Sequence, residues 1–274
     1  MESNQRPIVL VAAFLLAVLL TPLEGCGLIY IQGLSPGYSK DDLLANSDFH
    51  WLKDSSASSD IYFEPGSWAA HNVLVVRSNA DSALLHILRM IGGPHFPNRL
   101  NYFIVNNRSR MHSLIGRETN GIAFAHELVI CAIANDTVRA LGAHEMFHVV
   151  AMNVWGSTAD WINEGMAVYS DDQWWMQPLH PLAHYLEQNR KLPSLEQLTT
   201  KFRQANDLIT YPAAGSFMKF LNETFGRRET ELLWKQGFAA FCKSVNKSQS
   251  DLQQEWLNTI DKFSTDNVNY RIPE

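Results

Sequence analysis

A chain of 274 residues, 46 % hydrophobic and 18 % charged, can bury one large core or two modest lobes, which excludes a disordered chain. A formal net charge of −6 with no run of Lys or Arg argues against nucleic acid as the main partner. The three cysteines, Cys26, Cys131 and Cys242, have no spacing that would build a Cys-type metal site.

Residues 8–20 form an unbroken apolar run closed by Thr21-Pro22. The run is short for a membrane span and suits the core of a signal peptide, with an uncleaved anchor as the alternative. Export and membrane association through the N-terminus are therefore expected. Leu23-Glu24-Gly25-Cys26 resembles a bacterial lipobox at Leu23, Gly25 and Cys26, which implies a lipidated Cys26 and a cell-surface lipoprotein. Glu24 stands where that pattern has a small residue. Cys131 sits in the apolar stretch 128–133 and reads as a buried thiol, although an oxidising compartment would allow it to pair with Cys242. The sequons at Asn107, Asn135, Asn222 and Asn246 matter only in a host that glycosylates.

Residues 27–59 read as a lead-in with a short helical piece near 40–44. A strand at 61–63 ends at Pro65-Gly66. Helical spacing follows over 69–91, through Leu84, Ile87, Leu88 and Ile91, and closes at Gly92-Gly93-Pro94. A strand is predicted at 100–105 and a helix at 109–115 ending on Gly116. Strands at 121–125 and 128–133 are close enough to form a hairpin. After Asn135-Asp136, both good caps, helices are predicted at 137–154, 158–173, 181–190, 194–205, 211–225, 229–243 and 248–262, with Gly226 as a stop. The expected organisation is a targeting segment (1–26), a lead-in (27–59), an α/β lobe (60–154) and a helical lobe (155–274), an α+β fold.

The chemistry concentrates in His144-Glu145-Met146-Phe147-His148. Two histidines four apart share one helix face, so both imidazoles can reach one ion at about 2.0–2.1 Å. Glu145, one residue on, projects beside that ion, where a general base belongs. Glu164, in Trp161-Ile162-Asn163-Glu164-Gly165, is the candidate third ligand. The interval between His148 and Glu164 lets one helix finish, turn at Gly156 and return as a second, with Gly165 admitting close packing. The bland reading is a helix with two solvent-facing histidines.

His-Glu-x-x-His followed on the next helix by Asn-Glu-Gly resembles the gluzincin metallopeptidases, the group that includes thermolysin and aminopeptidase N. The stretch 160–167 looks most like the smaller bacterial peptidase MA-like members. The resemblance covers about 60–263, including 211–221 and 252–256. It implies a zincin-like fold, one Zn2+ on His144, His148 and Glu164, Glu145 as general base, and a peptide or protein substrate. It also implies that Tyr211, expected to open a helix, hydrogen-bonds the oxyanion; packing is the alternative. No Gly-Ala-Met-Glu-Asn-type motif is present, so endopeptidase action is preferred over aminopeptidase action. The rival classes are a non-catalytic zinc-binding surface scaffold and an interaction protein.

Other residues carry blander expectations. Asp171 and Asp172 read as solvated helix-end charges, with support of a ligand histidine as the alternative. Trp174-Trp175 reads as core, with the lining of a cleft as the alternative. His126-Glu127 lacks a second histidine at the needed spacing. Pro181 between His180 and His184 makes a second metal pair there a poor fit, and the remaining histidines read as structural.

Overall fold

The computed structural model describes residues 38–272. The signal-like run 8–20, the lipobox at Cys26 and the first part of the lead-in lie outside the described residues. The rest of the lead-in carries helix α1 (Lys40–Ala45) and strand β1 (Leu52–Ser55), and β1 had no counterpart among the predicted elements. The first half continues with β2 (Ser59–Phe63), α2 (Trp68–His71), α3 (Val73–Ile91), β3 (Leu100–Val105), α4 (Arg108–Ile115), β4 (Gly121–Phe124) and β5 (Val129–Ile133).

These strands form one mixed sheet in the order β1-β2-β3-β5-β4, parallel at β2–β3 and β3–β5 and antiparallel at both edges. The central strands LNYFIV and VICAI are apolar nearly throughout because both sheet faces are covered. Period-two alternation sorts their side chains. Tyr102, Ile104, Ile130 and Ala132 face a core shared with α3. Phe103, Val105, Cys131 and Ile133 face a second cluster with Met111, Leu114 and Ile115 of α4. β4 pairs on one side only, so it is an edge strand.

The helical part consists of α5 (His144–Trp155), α6 (Asp160–Asp171), α7 (Leu179–Gln188), α8 (Leu195–Lys201), α9 (Asp207–Phe225), α10 (Arg227–Gln236), α11 (Phe238–Val245) and α12 (Gln249–Ile260). A small antiparallel hairpin, β6 (Gln173–Trp174) with β7 (Gln177–Pro178), interrupts it. The fold is α+β. One hydrophobic core runs from the sheet through α5 and α6 into α9 and α12, so the two halves share an interior. Among the described residues no helix is long and apolar enough to cross a membrane.

Several expectations need correction. The helix expected at 137–154 starts only at His144. The Asn135 side chain accepts from the backbone N–H of Thr137 and Val138 (2.8 and 2.7 Å), closing a turn rather than capping a helix. The helix expected at 229–243 is two helices, because Gly237 adopts a left-handed φ of 83°. Among the described residues both cysteines are free: Cys131 is buried on β5, whereas Cys242 packs on α11 against the other core. Tyr211 does not open its helix; it is the fifth residue of α9.

α9 also contains Pro212, which has no N–H to offer the Leu208 carbonyl one turn earlier. The Tyr270 hydroxyl donates to that carbonyl instead (2.6 Å) and accepts from Trp174 Nε1 (3.1 Å). This relay fastens the β6–β7 hairpin to α9.

α6 and α9 cross at close range. A Cβ added to Gly165 would lie 2.9 Å from the Ala214 carbonyl oxygen and 2.7 Å from Met218 Cγ. Gly165→Val combines this overpacking with a β-branched residue in a helix, so a loss of about 2–3 kcal/mol is expected. That corresponds to a fall in Tm of about 4–12 °C in a thermal melt, and an unchanged Tm would mean the helices separate freely.

Candidate metal centre

α5 supplies the first three residues of the site. Its N-terminus has no local side-chain cap. Asp171, at the end of α6, accepts from Ala143 N–H (2.6 Å) and places a carboxylate at the positive end of α5. The contact is tight: a Cβ on Gly142 would fall 2.4 Å from Asp171 Oδ1. Burial raises the Asp171 pKa against these backbone hydrogen bonds. Asp171 is therefore no solvated helix-end charge, whereas Asp172 is exposed and pairs with Lys219 at 2.9 Å.

His144, Glu145 and His148 form a group that can hold a metal ion, with one ligand atom of each within 4.8 Å of the others. Glu164 reaches the same point from α6. His144 Nε2 and His148 Nε2 are 3.3 Å apart, and Glu164 Oε2 lies 3.7 and 3.4 Å from them. Donors bound tetrahedrally at about 2.0–2.1 Å sit roughly 3.3 Å from one another, so this triangle has the size of one face of such a site.

The residues around it orient these donors. His148 Nδ1–H donates to Asn163 Oδ1 (2.9 Å), which directs the Nε2 lone pair inward. Arg203 donates through Nη2 to Glu164 Oε1 (3.0 Å), through Nε to Asp160 (2.8 Å) and through Nη1 to the Tyr211 hydroxyl (2.7 Å). Arg203 thus occupies one oxygen of Glu164 and leaves Oε2 for the histidines. Tyr211 accepts from Arg203, so its own O–H proton is available to the cleft. Glu145 lies against edge strand β4, and a Cβ on Gly121 would be 2.7 Å from its Oε1.

The charges are strongly interdependent. Burial would raise Glu164, but the histidines and Arg203 hold it down to about 2. Burial would lower His148, but Glu164, Glu145 and the Asn163 hydrogen bond raise it to about 9. His144 falls to about 4 through burial and repulsion from His148. Burial, opposed by His148, and repulsion from Glu164 and Asp171 lift Glu145 to about 7. Burial and the nearby Glu164 charge raise Tyr211, against Arg203.

All five sequence candidates (His144, Glu145, His148, Glu164 and Tyr211) line one cleft of about 1030 Å³. Asn163 and Arg203 were given no role in the sequence reading. Asn163 directly precedes a candidate ligand, which is a local signal; Arg203 lies 39 residues beyond Glu164 and has none. Trp174-Trp175 is not core: Trp174 lines the cleft and Trp175 is 61 % exposed at its rim. His126-Glu127 belongs to a short 3-10 turn, Ala125–Glu127, and does not line the cleft. No family model matches the chain, and no curated protein is similar to it in sequence.

Proposed function

We propose that this chain is a zinc-dependent peptidase of the gluzincin type, with one zinc on His144, His148 and Glu164 and with Glu145 as general base. The observation that carries this reading is the triangle of two Nε2 atoms and one carboxylate oxygen, with edges of 3.3–3.7 Å, facing an open cleft. Glu164 is preferred to Glu145 as the third donor because Arg203 pins its other oxygen and aims Oε2 at the histidines. Bound there, zinc would supply a Lewis acid for a scissile carbonyl and lower the pKa of a coordinated water to about 7.

The remaining steps belong to the chain. Glu145, with its carboxyl raised toward neutrality, takes a proton from the attacking water and returns it to the departing amine. Tyr211 donates its O–H to the carbonyl oxygen as negative charge develops, held in place by Arg203. Edge strand β4 offers unpaired backbone groups to which an extended peptide can add as a further strand. The absence of an amine-binding motif favours internal bonds of a peptide or protein substrate.

Elemental analysis of purified protein beside His144→Ala and Glu164→Ala tests the assignment. About one zinc per chain is expected, falling to near zero in both variants. Folded protein that takes up no zinc when supplied with it would leave the interaction-protein reading instead.

A further inference from the structure

The β6–β7 hairpin closes through a two-residue loop, Trp175-Met176, since Trp174 pairs with Gln177. Both loop residues have positive φ, 50° and 62°. Such a turn is normally made by Asn-Gly or Gly-Gly, because other side chains are strained there. Here the sequence places two large apolar residues in that conformation and leaves them exposed, Trp175 at 61 % and Met176 at 84 %. Met176 is the most exposed large hydrophobic residue among those described. Apart from one edge contact of Trp175 with Tyr270, these strained side chains face solvent, and strain of this kind gathers where a ligand is held.

The turn is held in place. Trp174 Nε1 donates to the Tyr270 hydroxyl, Asn269 N–H donates to Gln177 Oε1 (2.9 Å), and the Trp175 ring meets Tyr270 edge-on with centroids 6.5 Å apart. Trp175 and Met176 line the cleft that contains His144 and Glu145. From the turn inward, the Trp174 ring lies 5.4 Å from that of Tyr211, which stacks 5.4 Å from Phe202. An apolar shelf therefore leads from the tip to the metal cluster.

We infer that Trp175 and Met176 grip a large apolar side chain of an extended peptide lying in the cleft, and so set the preference for that substrate. The inference rests on the peptidase reading for its choice of ligand. A bilayer is the poorer occupant: no Lys or Arg lies from 171 to 178, so the turn carries no cation to draw it to an anionic lipid surface.

Trp175→Asn combined with Met176→Gly separates function from folding. Asn-Gly suits the turn, so the double variant is expected to keep its Tm or gain about 3 °C. It should also lose selectivity. With a fluorogenic peptide library varied at one residue, the parent should prefer Phe, Leu or Met over Ser by about tenfold in kcat/KM at one position, and the double variant by less than about twofold. A parent without that preference, or a double variant that keeps it, overturns the inference and leaves the peptidase reading intact. If neither protein cleaves, the same peptides carrying a fluorescent label report binding by anisotropy. Tenfold discrimination lost in the double variant sustains the inference without the peptidase reading, and equal binding overturns it. Phosphatidylcholine vesicles bound by the parent but not by the double variant, with no peptide selectivity, assign the turn to a membrane surface and overturn it too.

Discussion

Glu145→Gln is expected to lower kcat/KM for peptide hydrolysis by about 10²–10⁴-fold while zinc content stays at one per chain. Glutamine keeps the size and shape of the side chain, so the approach to Gly121 survives and none of the proposed ligand atoms moves. What is lost is a group able to accept a proton from water, and its position between the histidines leaves no other carboxylate equally placed. The Glu145 charge also helps raise His148, so removing it weakens proton competition at that imidazole. That charge also attracts a divalent cation, so the two effects oppose each other and zinc content should stay near one per chain. Kinetics and elemental analysis on one preparation decide between outcomes. Full activity with zinc retained would remove Glu145 as the base. Loss of both would make it part of the metal cage.

Removing the metal should destabilise the protein more at alkaline than at acidic pH. In the metal-free cluster, His148 is raised from 6.5 to about 9, so its contribution to stability is complete below 6.5 and disappears as pH rises through 9. Glu164 is lowered from 4.5 to about 2, so its contribution is present above 4.5 and disappears as pH falls through 2. Both act in full between 4.5 and 6.5, where the proton on His148 substitutes for a cation. Zinc must displace that proton, so its affinity should rise about tenfold per pH unit up to about 9. Between about pH 6 and pH 8 the stabilisation by zinc should grow by about 3 kcal/mol. At fixed free zinc, the drop in Tm on chelation should then be about 5–12 °C larger at the higher pH. A drop independent of pH would mean that binding releases no proton, so His148 would carry none to displace in the metal-free protein.

Much of this was legible because the signals were local. The apolar runs of β3 and β5, the glycine stops at Gly92 and Gly116, and the four-residue spacing of His144 and His148 each depend on a few neighbouring residues. What escaped depends on distant parts of the chain. The start of α5 is set by Asp171, 28 residues away, so Asn135 and Asp136 drew the eye to a turn instead. Arg203 acquires its meaning only when α6 and α9 bring Glu164, Asp160 and Tyr211 around it. Trp174-Trp175 has the composition of core; only the hairpin turn and the relay through Tyr270 put one ring in the cleft and the other at its rim. The strand β1 carries one exposed edge and a charged sequence, LKDS, which has no strand periodicity to detect.

Pro212 links the order of folding to the order of synthesis. The carbonyl it leaves free on Leu208 is met by Tyr270, 62 residues later. At ordinary elongation rates that interval lasts roughly 3–12 s, during which the hydroxyl that meets this carbonyl and ties Trp174 to it has not yet been made. The histidines and Glu164, only 21 residues from first to last, emerge well before. The proposed metal ligands are thus made as a compact unit, and the wall that shapes what reaches them is completed only when Tyr270 follows.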